Sequence, residues 1–180
     1  VLFFAHLAGA RIRMQVDVAF GDAVTPEAKE ITYPTILDFP APRIRAYPIA
    51  SVISEKLQTM VAFGMPNSRM KDYFDIWILA QEFPFEGIDL VNAIRATFDR
   101  RRTEIPKLVP LGLSEEFALD REKGKQWESF LNRIGFKEKE LPLSDVMESL
   151  RKFLIPLLVA ASQDIAFSER WEAGGPWSGR

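Results

Sequence analysis

The chain contains no cysteine and a single histidine, His6. The first absence excludes disulfides, thiolate metal sites and cysteine nucleophiles, and the second excludes a histidine-rich metal centre. His6 itself sits in an apolar context and is assigned no role. A large charge of one sign is also lacking. The formal net charge of -2 over 180 residues gives no global attraction to nucleic acid or to acidic membranes. Long hydrophobic runs are missing too. The opening Val1-Leu2-Phe3-Phe4-Ala5 soon gives way to His6, Arg11 and Arg13, and the apolar stretch from Phe153 to Ala161 is interrupted by Pro156. Neither is long enough to span a bilayer, so no membrane partner is expected. What is present is 47% hydrophobic and 27% charged, a balance that supports a buried core and argues against extensive disorder. The length favours one domain. Because Val1 begins directly in an apolar segment, an N-terminally incomplete domain is expected.

Ile12, Met14, Val16, Val18 and Phe20 alternate with Arg13, Gln15, Asp17 and Ala19. Period-two alternation predicts a strand with one buried face, ended by Gly21-Asp22. Pro26, Pro34, Pro40 and Pro42 then divide the chain into short extended pieces, and Arg43 to Ala46 reads as a short edge strand. From Pro48 the period changes. Ile49, Val52, Ile53, Leu57, Met60 and Val61 line one side of a helix that ends near Gly64, with Ser51, Glu55 and Gln58 on its wet side. Asn67 or Ser68 caps a second helix running to about Gln81. Further helices are expected over residues 88–101, around Trp127 to Ile134, and around Val146 to Leu154. Strands followed mainly by helices make an α+β class with a sheet near the N-terminus. Residues 1–47 form the sheet portion, 48–161 the helical portion of the same domain, and 162–180 a flexible tail.

Three polar features are misplaced for a core. Asp17 lies mid-strand beside Arg13 and Gln15, where a carboxylate is either a rigid metal mount or part of a solvated face. Lys56 falls within the apolar arc of the first helix, so its ammonium must find a ligand anion, an aspartate on the next helix, or a route out to water. On the second helix Met70, Tyr73, Phe74, Ile76, Trp77 and Ile78 surround most of the axis. They leave Lys71, Asp72 and Asp75 as one narrow charged stripe. Two acids beside one lysine need a metal, Lys56, Arg69 or solvent to balance them. The stripe is read as an active-site wall, against the alternative of a charge network joining helices. Arg100-Arg101-Arg102, with Arg95 and Lys107 nearby, either complements a helix end or contacts phosphates of a nucleotide or RNA.

The strand from Arg13 to Asp22, the step Ala46-Tyr47-Pro48 leading into Glu55-Lys56-Leu57, and Asn67-Ser68-Arg69-Met70-Lys71-Asp72-Tyr73-Phe74-Asp75-Ile76-Trp77 occur in this order. Together they resemble the AbiEii/AbiGii toxin family, nucleotidyltransferases of the DNA polymerase β-like superfamily found as toxins in type IV toxin–antitoxin and abortive-infection systems. The resemblance runs from about residue 8 to 158. It implies a cytoplasmic enzyme with a mixed-sheet core and helical additions. Its implied chemistry is Mg²⁺-assisted transfer of a nucleotide from a nucleoside triphosphate to an acceptor such as tRNA, with a cognate antitoxin as protein partner. Carried over position by position, it makes Asp17 a metal-binding carboxylate and Lys56 a triphosphate contact. Asp72 then becomes a catalytic-motif acid with Asp75 supporting it, and Arg69 and Lys71 fall beside the nucleotide. The family's Asp-x-Asp pair after a glycine-rich turn is absent from this sequence. The implied consequence is impaired transfer by the isolated chain, with a missing N-terminal segment or second chain as a further partner. The alternative is a non-catalytic remnant of the fold that binds nucleotide, RNA or antitoxin.

Overall fold

The computed structural model describes residues 1–18, 20–21, 24–136 and 141–179. Ala19 and Asp22 of the expected first strand and its terminating turn, and Arg180, lie outside the described residues. The architecture is α+β, with small antiparallel sheets and six α-helices among the described residues. No helix among the described residues is long and apolar enough to cross a membrane.

The helical body follows the 3.6-residue pattern closely. Helix α1 spans Ile49–Phe63 and buries Ile53, Leu57 and Met60. It ends as Gly64 turns into positive φ (+52°) and its N–H donates to the Met60 carbonyl at 3.1 Å, a backbone position where side chains are disfavoured. Helix α2 spans Met70–Glu82 and α3 spans Gly87–Arg100. Helices α4 (Glu115–Leu119) and α5 (Arg121–Ile134) are each capped by a side chain. Ser114 Oγ accepts from Phe117 N at 3.1 Å, and Asp120 Oδ1 accepts from Lys123 N at 2.9 Å. Such caps satisfy donors that a helix start leaves orphaned. Helix α6, Leu143–Ser162, contacts α2, α3, α4 and α5. Its apolar residues therefore point several ways, and Val146, Met147, Leu150, Phe153, Leu154 and Leu157 are all fully enclosed. The five-residue α4 and a 3-10 turn at Leu111–Leu113 were not expected, because neither is long enough to show a period. Gly112 in that turn sits directly on the α1 backbone, where a Cβ would meet the Met60 carbonyl.

Two expectations change. The first concerns the N-terminal strands. Strand β2 is Ala10–Gln15, shorter than predicted, and pairs antiparallel with β1 (Leu2–Leu7). The pairing extends one step further through Val1 and Val16, whose backbone groups bond at 2.6 and 2.8 Å. The apolar face exists but is not covered: Ile12, Met14, Val16 and Val18 are 41–58% exposed. Alternation reports two faces, whereas burial needs a second layer. Strand β4, Arg43–Ala46, does form as predicted and pairs with β3 (Lys29–Thr32). All described pairings are antiparallel, where a mixed sheet was anticipated.

The second concerns the C-terminus, where the expected flexible tail is packed. Strands β5 (Phe85–Glu86), β6 (Arg170–Trp171) and β7 (Trp177–Ser178) form a three-stranded sheet. Trp171 Nε1 donates to the Ala80 carbonyl at 2.8 Å, and Trp177 Nε1 donates to the Phe153 carbonyl at 3.0 Å. Phe153 lies 4.8 Å from the Trp171 ring and 5.6 Å from the Trp177 ring, parallel to the latter. These indoles offset the weak apolar pattern of the segment, since an aromatic ring buries far more area than an aliphatic side chain.

Candidate functional site

The charged residues of α1 and α2 meet where the two helices pack. Lys56 Nζ lies 2.6 Å from Asp72 Oδ1 and 2.8 Å from Asp75 Oδ2. Arg69 Nε reaches the second oxygen of Asp72 at 2.7 Å, and Lys71 Nζ reaches Asp75 Oδ2 at 2.5 Å. The Asp72 side chain is only 4% exposed, so both of its oxygens are satisfied by cations rather than water. Burial by itself would lower the Lys56 pKa, but hydrogen bonds and attraction from Asp72 and Asp75 outweigh it and hold the pKa above the ordinary lysine value. Lys56 is therefore a persistent positive charge and not a general base.

Local sequence explains how α2 presents these groups. Asn67 Oδ1 accepts from Arg69 N at 3.0 Å, and the helix proper begins at Met70, later than the Asn67 or Ser68 cap would place it. Asp72 thus falls in the first turn, where the helix dipole favours an anion. Tyr73, fully buried, donates to the Gly112 carbonyl at 3.1 Å and locks α2 to the 3-10 turn. Its phenol pKa is raised, chiefly by burial, which keeps it neutral.

A cleft of about 270 Å³ opens beside Lys56, lined also by Tyr47, Glu55, Thr59, Arg69, Asp72 and Arg101. That is just below the ~300–1,000 Å³ of sites enclosing a whole drug-sized ligand, so it suits the phosphates of a nucleotide better than its entirety. Glu55 organises the rim. It accepts from Tyr47 OH at 2.6 Å and pairs with Arg101 at 3.3 Å. Neither Tyr47 nor Glu55 was assigned a role from sequence, although both lie in the quoted motifs. The adjacent face of α1, expected to be wet, is instead covered by α3. Ser51 and Ser54 are fully buried and Gln58 nearly so. Their polar atoms are matched by Thr25, Thr97, Thr103 and Arg101.

The structure thus brings together Lys56, Asp72, Asp75, Arg69 and Lys71, although Lys71 is exposed and does not line the Lys56 cleft. Asp17 does not line this cleft. It is exposed beyond the end of β2 and accepts from Gln15 Nε2 at 2.8 Å. The three arginines do not act as one patch. Arg100 donates to the Gly21 carbonyl, Arg101 turns toward α1, and Arg102 is exposed in a left-handed turn (φ +50°). The fit to Mg²⁺ fails on the donor set. Among the described residues no three acidic or histidine side chains cluster, and the oxygens of Asp72 already hold an ammonium and a guanidinium.

The α+β architecture is consistent with a nucleotidyltransferase-like fold. A family model described as the nucleotidyl transferase AbiEii toxin of type IV toxin–antitoxin systems matches residues 2–154, and the chain belongs to that family. No curated protein and no solved structure matches it.

Proposed function

We propose that the Lys56 cleft is the triphosphate-binding part of a nucleotidyltransferase toxin that acts on an acceptor such as tRNA and is neutralised by a cognate antitoxin. The observation that carries this reading is the Lys56 ammonium, held charged at neutral pH, lining a phosphate-sized cleft together with Arg69 and Arg101. Charge-assisted contacts from such groups stabilise phosphate oxygens and the pyrophosphate that leaves as a nucleotide is transferred. Asp72 and Asp75 fix the Lys56 ammonium in place, and Tyr47 with Glu55 shapes the mouth. With no Asp-x-Asp pair in the sequence, label transfer by this chain alone is expected to be weak or absent.

A second reading, a nucleotide-, RNA- or antitoxin-binding domain without catalysis, is favoured by the saturation of Asp72 with cations. One set of measurements separates the two. Each nucleoside triphosphate is titrated into the chain by calorimetry, and the same mixtures with Mg²⁺, tRNA and labelled nucleotide are assayed for label transfer. Binding that weakens about tenfold in Lys56→Gln but less in Lys56→Arg supports the cleft assignment. Equal affinity in all three chains overturns it. Label transfer abolished by Asp17→Ala would overturn the expectation of impaired catalysis and return Asp17 to the site.

A further inference from the structure

A second concave surface adjoins the first turn of α2. It encloses about 460 Å³ between α2 and α5, and Arg69 and Asp72 line both it and the Lys56 cleft. Its remaining polar wall is a stripe on α5. Lys125, Ser129 and Arg133 follow one another at four-residue intervals, so they share one helix face, and all three are exposed. Lys71 faces them from α2. Four cations and one acid therefore line this groove, in a chain whose overall charge is slightly negative.

We infer that this groove binds a single strand of nucleic acid through successive phosphates, and so receives the acceptor of the transferase reading, on which the inference rests. Three physical points favour a strand over a small anion. Lys125 and Arg133 are eight residues apart, about 12 Å along the helix, which is longer than one phosphate and spans a run of successive phosphates on a strand. The floor is formed by the buried Phe130 and Met70, which offer no exposed ring face for a base, so recognition runs through the backbone. The Arg133 guanidinium is held 5.9 Å over the Phe130 ring, which aims it without neutralising it. The pairs Lys125–Glu122 and Lys71–Asp75 involve lysines more than half exposed. Such surface pairs are weak and screened, so a polyanion exchanges for them at little cost. The shared Arg69 makes the strand's path end at the Lys56 cleft, where a terminal or looped nucleotide would meet the triphosphate.

The test is fluorescence anisotropy of a short labelled single-stranded RNA of mixed sequence with the full chain over a series of salt concentrations. The Lys125→Gln/Arg133→Gln double variant is expected to bind about tenfold more weakly at low salt. It should also lose about 1.4 from the magnitude of the logarithmic salt slope, the share of two phosphate contacts on a single strand. Unchanged affinity and slope in that variant overturn the inference. Displacement of the RNA by tripolyphosphate at an equal phosphate concentration also overturns it, because the groove is then a nucleotide site. Circular dichroism checks that the exposed substitutions leave the fold intact. Nucleoside triphosphate titration of the unmodified chain reports on the Lys56 cleft separately, so failure of the groove and failure of the cleft give different patterns.

Discussion

The first 47 residues and the helices that follow handle apolar surface in opposite ways. In the body, Ile53, Tyr73, Ile94, Trp127, Phe153 and Leu157 are almost wholly excluded from water. In the N-terminal segment, Phe4, Val18, Phe20, Ile36 and Phe39 are half or more exposed. Both regions are rich in large apolar side chains, so hydrophobic content does not distinguish them. The distinction is the number of layers. Each body helix has neighbours on at least two sides, whereas each N-terminal hairpin is a two-stranded ribbon, and such ribbons are marginal alone. The segment is pinned at points rather than along a face, notably where Ser51 exchanges hydrogen bonds with the Thr25 backbone at 2.9 and 3.0 Å. Stability therefore belongs to the body, and the hairpins are carried by it.

The contrast can be broken most forcefully at Phe153, between two indoles. Phe153→Ala is expected to cost about 3–5 kcal/mol, read as a lowered denaturant midpoint with an unchanged slope. A smaller effect is expected at the helix–helix charge cluster. Lys56→Met strands Asp72 with Arg69 alone, and breaking a buried pair in this way costs about 3 kcal/mol. The same variant sharpens the electrostatic account through pH. Because the folded-state pKa of Lys56 is raised, its contribution is complete below the ordinary lysine pKa of ~10.4 and is lost as pH rises through the folded value. The stability gap between native chain and Lys56→Met should accordingly persist from neutral into mildly alkaline solution and narrow in strongly alkaline solution, as followed by urea melts across pH. The smallest effect belongs to the hairpin. Val18→Ser is expected to change stability by no more than about 0.5 kcal/mol. A loss of several kcal/mol there would mean that the exposed face is covered in solution, and the contrast would fail.

The helices were legible in the sequence because each buries a continuous stripe, which writes a period into the chain. The predicted bounds of α1 match Ile49–Phe63, and those of α3 differ by about one residue. The apposition of Lys56 with Asp72 and Asp75 was legible for a related reason: a charge within an apolar arc has few places to go. Burial of Ser51 was not, since a hydroxyl reads as wet unless its partner, here the Thr25 backbone, is known to arrive from a distant element. The C-terminal sheet was hidden because its strands are two residues long and its anchorage rests on two tryptophans. The α5 stripe of Lys125, Ser129 and Arg133 was not read from the sequence, because its meaning needs α2 opposite.

Helix α2 is held near both ends by donors from far along the chain. Before its first turn, the buried Lys123 ammonium donates to the Asn67 carbonyl at 2.9 Å. In its last turn, the Ala80 carbonyl accepts from both Trp171 Nε1 and Gly174 N, and Gly175 packs so closely on the Trp171 ring that a Cβ there would collide with it. A bar clamped at two points keeps its length and its roll. The carboxylates of Asp72 and Asp75 are thereby indexed against Lys56 by parts of the molecule that never touch the cleft, and the chain's final turn serves as a gauge for the setting of a helix begun a hundred residues earlier.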